Sequence, residues 1–101
     1  MWNRVVSREV TVVNPQGLHA RPADAFARRA SQFESVIDVV KQGQRVNGKS
    51  ILDLLMLAAE EGTVLTIEAR GGDAEDAIEA LVSLMEQVNS YDESAKSSPN
   101  P

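Results

Sequence analysis

The chain has 101 residues, 43% hydrophobic and 25% charged, enough for one compact domain with a modest core. Its formal net charge of -5 and pI of about 4.8 argue against broad binding to nucleic acid or to an anionic membrane. The absence of cysteine excludes disulfides, thiolate nucleophiles and cysteine-ligated zinc. No apolar run approaches the ~20 residues of a membrane span, and the start lacks the apolar stretch of a signal peptide, so a cytoplasmic protein is expected.

Residues 4–13 open the fold. From Ser7 to Val13, Glu9, Thr11 and Val13 alternate with Val10 and Val12, the pattern of a half-buried strand. The breakers Asn14-Pro15-Gln16-Gly17 end it. A helix then runs to about Phe33, with Ala23, Phe26, Ala27, Ala30 and Phe33 on one apolar face. Val36 to Val40 and Gln44 to Val46 read as a hairpin in which Gly43 takes the positive φ of a tight turn. After Asn47-Gly48, a short helix spans Ser50 to about Ala59, with Ser50 as N-cap, Asp53 in the capping-box place and Gly62 as a left-handed closing residue. Thr63 to Arg70 is a strand with Leu65, Ile67 and Ala69 on one face. Asp73 caps a last helix carrying Ile78, Leu81, Met85 and Val88 at helical spacing. From Ser90 the chain is polar and without period. The expected organisation is one domain over residues 1–90 and a disordered polar tail over 91–101. The order β-α-β-β-α-β-α predicts a two-layer α+β sandwich, an antiparallel sheet covered on one face by helices.

The chemistry concentrates in Gly17-Leu18-His19-Ala20-Arg21-Pro22-Ala23, which holds the chain's one histidine. Pro22 suits a first helical turn, because the amide it lacks would have no partner within the helix. That places His19 at or near the N-cap. A helix N-terminus offers amide donors and a partial positive charge to an anion, and the same field favours the neutral imidazole, whose ring nitrogen is a nucleophile. Arg21 brings a donor fork suited to phosphate oxygens. A lone histidine usually has no special role, but an arginine in a first turn opposes the helix dipole, and that misfit favours an anion ligand. Elsewhere the blander readings hold. Asp73, Glu75 and Asp76 complement the last helix's dipole, Glu60-Glu61 is solvated, and Gly71-Gly72 is a turn with no nucleotide-binding context. No metal site is expected, and no cofactor.

The Gly17 to Ala23 string, followed by Asn47-Gly48-Lys49-Ser50-Ile51-Leu52, resembles HPr, the histidine phosphocarrier of the phosphoenolpyruvate-dependent sugar phosphotransferase system (PTS), from about Glu9 to Val88. The resemblance implies an open-faced β-sandwich, four antiparallel strands covered by three helices. It implies a carrier rather than a stand-alone enzyme, taking a phosphoryl group from enzyme I and passing it to an enzyme IIA domain. On this chain the acceptor would be His19, through Nδ1, and Arg21 would steady the phosphate. Gly17 and Pro22 would shape the backbone, and Ala20, Ile51, Leu52 and Leu55 would form the docking face. Ile51, Leu52, Leu54, Leu55, Met56 and Leu57 exceed what one buried stripe of a short helix needs, so part of that helix is expected to face partners. Ser50 stands where an HPr kinase/phosphorylase acts in many HPr proteins. A monomer keeps such a docking face free.

Two departures from the family stand out. Asp24, where a small residue is common, is placed to pair with Arg21, and the tail extends beyond the usual end. The alternative is a mainly regulatory HPr-like protein, of the nitrogen-type PTS branch or acting through phosphorylated Ser50. A plain interaction domain with an unused histidine is the least informative alternative. Neither the sugar served nor the cognate enzyme IIA is encoded in these motifs.

Overall fold

The computed structural model describes the backbone of residues 4–97 and the side chains of residues 4–87. The elements are β1 (Val5–Thr11), α1 (Ala20–Ala30), β2 (Val36–Lys41), β3 (Gln44–Asn47), α2 (Ile51–Met56), β4 (Val64–Arg70) and α3 (Ala74–Ser97). The four strands form one antiparallel sheet in the order β1-β4-β2-β3. The helices pack over one face, which makes this the expected open-faced α+β sandwich.

The two-residue period of β4 decides which side is buried. Leu65, Ile67 and Ala69 are at most 2% exposed and face the helices, while Val64 and Arg70 are exposed on the open side. β2 contributes Ile37 and Val39 to the same core. Alanines at 23, 27 and 30 on α1 and at 74 and 77 on α3 are buried and bring these helices close to one another and to the sheet. Phe26, Ile78, Leu81 and Met85 fill the space between layers.

The element boundaries move for local reasons. β1 lies two residues earlier than the alternation predicts, but Val12 continues the pairing by donating to Thr63 O at 2.9 Å. α1 stops at Ala30, short of Phe33, because the next amides bond three residues back, Gln32 to Arg29 O and Phe33 to Ala30 O, both at 3.1 Å. Phe33 remains half-buried against the core, with the Arg29 guanidinium 5.1 Å from its ring centre. The hairpin between β2 and β3 turns at Gln42 (φ 48) and Gly43 (φ 86), two positive values in succession, the geometry of a type I′ turn. α2 ends at Met56, well before Ala59, and the left-handed residue after it is Ala58 (φ 51). Gly62 does not close α2. It sits in the turn into β4, where its amide donates to Val12 O at 2.7 Å.

Two predicted features of the last helix change. Asp73 begins α3 through its backbone, whose carbonyl accepts from Ala77 N at 2.9 Å, but its carboxylate is directed to the α1–β2 loop. It accepts from Glu34 N at 2.9 Å, from Ser35 N at 3.0 Å and from the Ser35 hydroxyl. α3 then runs past Ser90, and the backbone of residues 91–97 is helical where a tail without periodicity is expected. No glycine or proline interrupts the chain from Ala74 to Ser98, so nothing in the backbone stops the helix there. Residues 98–101 of that expected tail, and the side chain of Val88, lie outside the described residues.

The Asp73 tie generates a pH dependence. The Ser35 hydroxyl first, then the Glu34 amide, hold the Asp73 carboxyl below its ordinary range. A folded-state value below the unfolded one means stability that is complete above the unfolded carboxylate value, about 3.9, and lost as pH falls through the folded one. Asp73→Asn should therefore lower the urea midpoint at neutral pH and flatten its decline as the pH falls below about 4. An unchanged acid arm would contradict the role of this tie.

Candidate functional site

The site is built on a backbone crossing. Gly17 N donates to Asn14 O at 2.8 Å, closing the turn after β1, and Leu18 N donates to Ala59 O at 2.8 Å, fastening the turn to the segment between α2 and β4. Gly17 has φ +74, and a Cβ there would lie 2.5 Å from Ala59 O. Leu18 is buried at 7% exposure, so the residue after it emerges at the surface. That residue is His19, with extended backbone (φ -90, ψ -168) at the N-cap of α1. Its carbonyl accepts from Ala23 N at 3.0 Å and starts the helix.

The imidazole is half-buried and makes no capping bond to the helix. Its Nε2 lies 3.2 Å from Asn14 Nδ2. Asn14, read from the sequence only as a turn former, is 2% exposed, and its Oδ1 accepts from Gln16 N at 3.0 Å. The signal that could have found it was present, a small amide five residues before the histidine across a glycine turn, but spacing alone does not say which way an amide points.

Arg21 is exposed on the first turn of α1, which carries no acidic residue, and Pro22 is buried beneath it. Helix geometry gives first-turn amides no carbonyl within the helix. His19, the start of α1 and Arg21 thus bring an imidazole, a helix N-terminus and a guanidinium into one short segment of an otherwise acidic chain. Asp24, expected opposite Arg21, has both carboxylate oxygens on Arg28 Nε one turn further along, at 3.1 and 2.9 Å. It also lines, with Lys49 and Ile51, an open groove of about 510 Å³ between α1 and the start of α2.

Ser50 caps α2 as expected, its hydroxyl accepting from Asp53 N at 3.2 Å. The reciprocal half of a capping box is displaced, since the Asp53 carboxylate accepts from Asn47 N at 3.3 Å and Ser50 N donates to Asn47 O. On α2 itself, Leu54 is buried, Ile51 and Leu55 are half-buried, and Leu52 and Met56 are 69% and 72% exposed. Four residues apart, Leu52 and Met56 share a face. Ala20 is also exposed, on α1, against which α2 packs. Among the described residues no three His, Asp or Glu side chains gather to hold a metal ion. No described helix is long and apolar enough to cross a membrane.

Comparison with known proteins fits this geometry. Residues 6–87 match the family described as PTS HPr component phosphorylation site. The phosphocarrier protein HPr of Neisseria meningitidis serogroup A is 44% identical over 87 residues, covering 86% of this chain and 94% of that protein. The HPr-like protein Crh of Halalkalibacterium halodurans is 40% identical over 83 residues, 82% of this chain and 99% of its own. The solved structure of a Mycoplasma histidine-containing phosphocarrier protein superposes with a TM-score of 0.81 at 36% identity, covering 83% of this chain and 96% of that one. The fold and site define a small phosphocarrier-type domain. The chain belongs to the HPr family of the phosphotransferase system.

Two substitutions test the construction of the site. Gly17→Ala adds a Cβ against Ala59 O at a positive φ and should cost about 2 kcal/mol or more in urea unfolding. Ser50→Ala removes the α2 cap and should cost about 1 kcal/mol. A Gly17→Ala protein as stable as the parent would contradict the close crossing.

Proposed function

We propose that the chain is a phosphocarrier proper, in which His19 accepts a phosphoryl group through Nδ1 from phosphorylated enzyme I and passes it to an enzyme IIA domain. The observation that carries this reading is the position of the chain's one histidine at the N-cap of α1, with its ring at the surface and unused by the helix. Nδ1 is the nitrogen that the likeness to HPr assigns to the phosphoryl group, and Nε2 lies 3.2 Å from Asn14 Nδ2. Arg21 steadies the transferred phosphate by charge-assisted hydrogen bonds, and the first-turn amides favour the same anion. Gly17 and Pro22 hold the backbone in this form. The partners dock on Ala20 and on the apolar side of α2 formed by Ile51, Leu52, Leu55 and Met56, a surface small enough for transient contacts. The carrier works as a monomer in the cytoplasm, feeding sugar uptake.

A second reading, regulation through Ser50, is favoured by its place at the start of α2 next to the exposed Leu52 and by the 40% identity to an HPr-like protein Crh. Phosphorylation there by an HPr kinase/phosphorylase would set roughly two negative charges beside the docking face and repel acidic partners.

The test is incubation with phosphoenolpyruvate, magnesium and purified enzyme I, followed by intact-mass spectrometry. One acid-labile phosphoryl adduct is expected, absent from His19→Ala. No adduct with an active cognate enzyme I would refute the carrier reading and shift the weight to Ser50. Leu52→Asp, at an exposed position, should leave stability within about 0.5 kcal/mol yet slow acceptance from enzyme I about tenfold. An unchanged rate would remove α2 from the docking face.

A further inference from the structure

The carbonyl that fastens the histidine turn, Ala59 O, belongs to a segment between α2 and β4 that lies in neither element. α2 carries no basic residue in its last turn. Two residues past its end, Ala58 has φ 51, a left-handed conformation that a residue with a Cβ disfavours. The cation that such a helix end attracts comes instead from the sheet. Lys41, the last residue of β2, donates from Nζ to Leu57 O at 2.8 Å and to Ala58 O at 3.4 Å. These carbonyls belong to the two peptide groups that flank Ala58, so one ammonium pins both sides of the left-handed turn and meets the partial negative charge of the helix end. Glu60 and Glu61 line the same open depression as Lys41, yet the ammonium is placed on the carbonyls. The next carbonyl along the chain is Ala59 O, which accepts from Leu18 N at 2.8 Å with Gly17 close against it.

We propose that Lys41 is a positioning residue for phosphoryl transfer: by pinning the peptide groups that flank Ala58, it aims Ala59 O at Leu18 N and fixes the backbone on which His19 stands. This rests on the reading of His19 as the phosphoryl acceptor. The action runs through the backbone, from the ammonium to the Ala58 turn, from the turn to Ala59 O, and from that carbonyl to Leu18 N beside the N-cap residue. Without the ammonium, relaxation of Ala58 toward negative φ swings the chain that follows it, Ala59 first, away from Leu18. A misplacement of about 1 Å is costly to a transfer that needs aligned reacting atoms. The exposed Leu52 and Met56 stand on α2 before this turn, so loss of Lys41 acts on the maximal rate rather than on docking.

Lys41→Met keeps the aliphatic stem and removes the ammonium, Lys41→Arg keeps a cationic donor, and Asp73→Asn is a control that loses stability away from the crossing. In hydrogen–deuterium exchange followed by NMR, the Leu18 amide of Lys41→Met should exchange about tenfold faster, the scale of one hydrogen bond to a charged group. Lys41→Arg and Asp73→Asn should stay near the parent rate. With phosphorylated enzyme I as donor, the maximal rate of acceptance by Lys41→Met should fall about fivefold, with KM within about twofold of the parent's. Lys41→Arg should recover that rate. Ala58→Gly, which removes the Cβ from the left-handed turn, should recover part of both losses in the Lys41→Met background, and it keeps the test open where the single variant fails to fold. A Lys41→Met protein with the parent's Leu18 protection overturns the proposal. So does a loss that falls on KM alone, or one that Asp73→Asn reproduces. A parent that takes no phosphoryl group refutes the carrier reading instead, and the Leu18 exchange still decides whether Lys41 holds the crossing.

Discussion

The site depends on one backbone contact, the hydrogen bond from Leu18 N to Ala59 O with Gly17 pressed against the same carbonyl. It joins two segments more than forty residues apart in sequence, and it sets where α1 begins. With Leu18 buried on one side of the crossing and Pro22 on the other, His19 is placed at the surface with little choice of backbone. The sheet supports this arrangement from below. β1 delivers the turn to the crossing, and its neighbour β4 follows directly from the Ala59 segment. Pairing of these two strands therefore brings the halves of the site into register.

Electrostatics act locally against the chain's average. A net charge of -5 would repel a phosphoryl donor, yet the first turn of α1 has no acid, and Asp24 on the same helix is held by Arg28. Three other acids perform structural tasks elsewhere. Asp73 fastens the α1–β2 loop to the start of α3. On the open face of the sheet, Arg45 bridges Asp38 and Glu68, and its hydrogen bond holds the Glu68 carboxyl below its ordinary range. Such exposed pairs contribute little to stability, but they neutralise charge on the face away from the site.

Most of the fold was legible because its period and its breakers agree. Leu65, Ile67 and Ala69 announce the buried side of β4, Gly43 the hairpin, and Ser50 the cap of α2. Strand order was not legible, since the central place of β4 rests on pairings remote in sequence. The errors share a cause. Gly62, Asp73 and Asp24 each have a propensity for the role expected of them, and each was captured by a different partner: Val12 O, the Ser35 loop and Arg28. Past Ser90 the opposite held, where polar composition concealed a run of residues without a helix breaker. Of the site, His19, Arg21 and Gly17 stood out by type and spacing. Asn14 did not, because its contact with His19 depends on the direction of an amide, which no pattern encodes.

The central claim, proposed above, is that His19 takes the phosphoryl group and does so through Nδ1. It is tested most directly by NMR of 15N-histidine-labelled protein phosphorylated by enzyme I and phosphoenolpyruvate, reading which ring nitrogen couples to phosphorus. The account predicts 31P–15N coupling at Nδ1. Coupling at Nε2, or phosphorus found on Ser50 with both ring nitrogens unmodified, would contradict it.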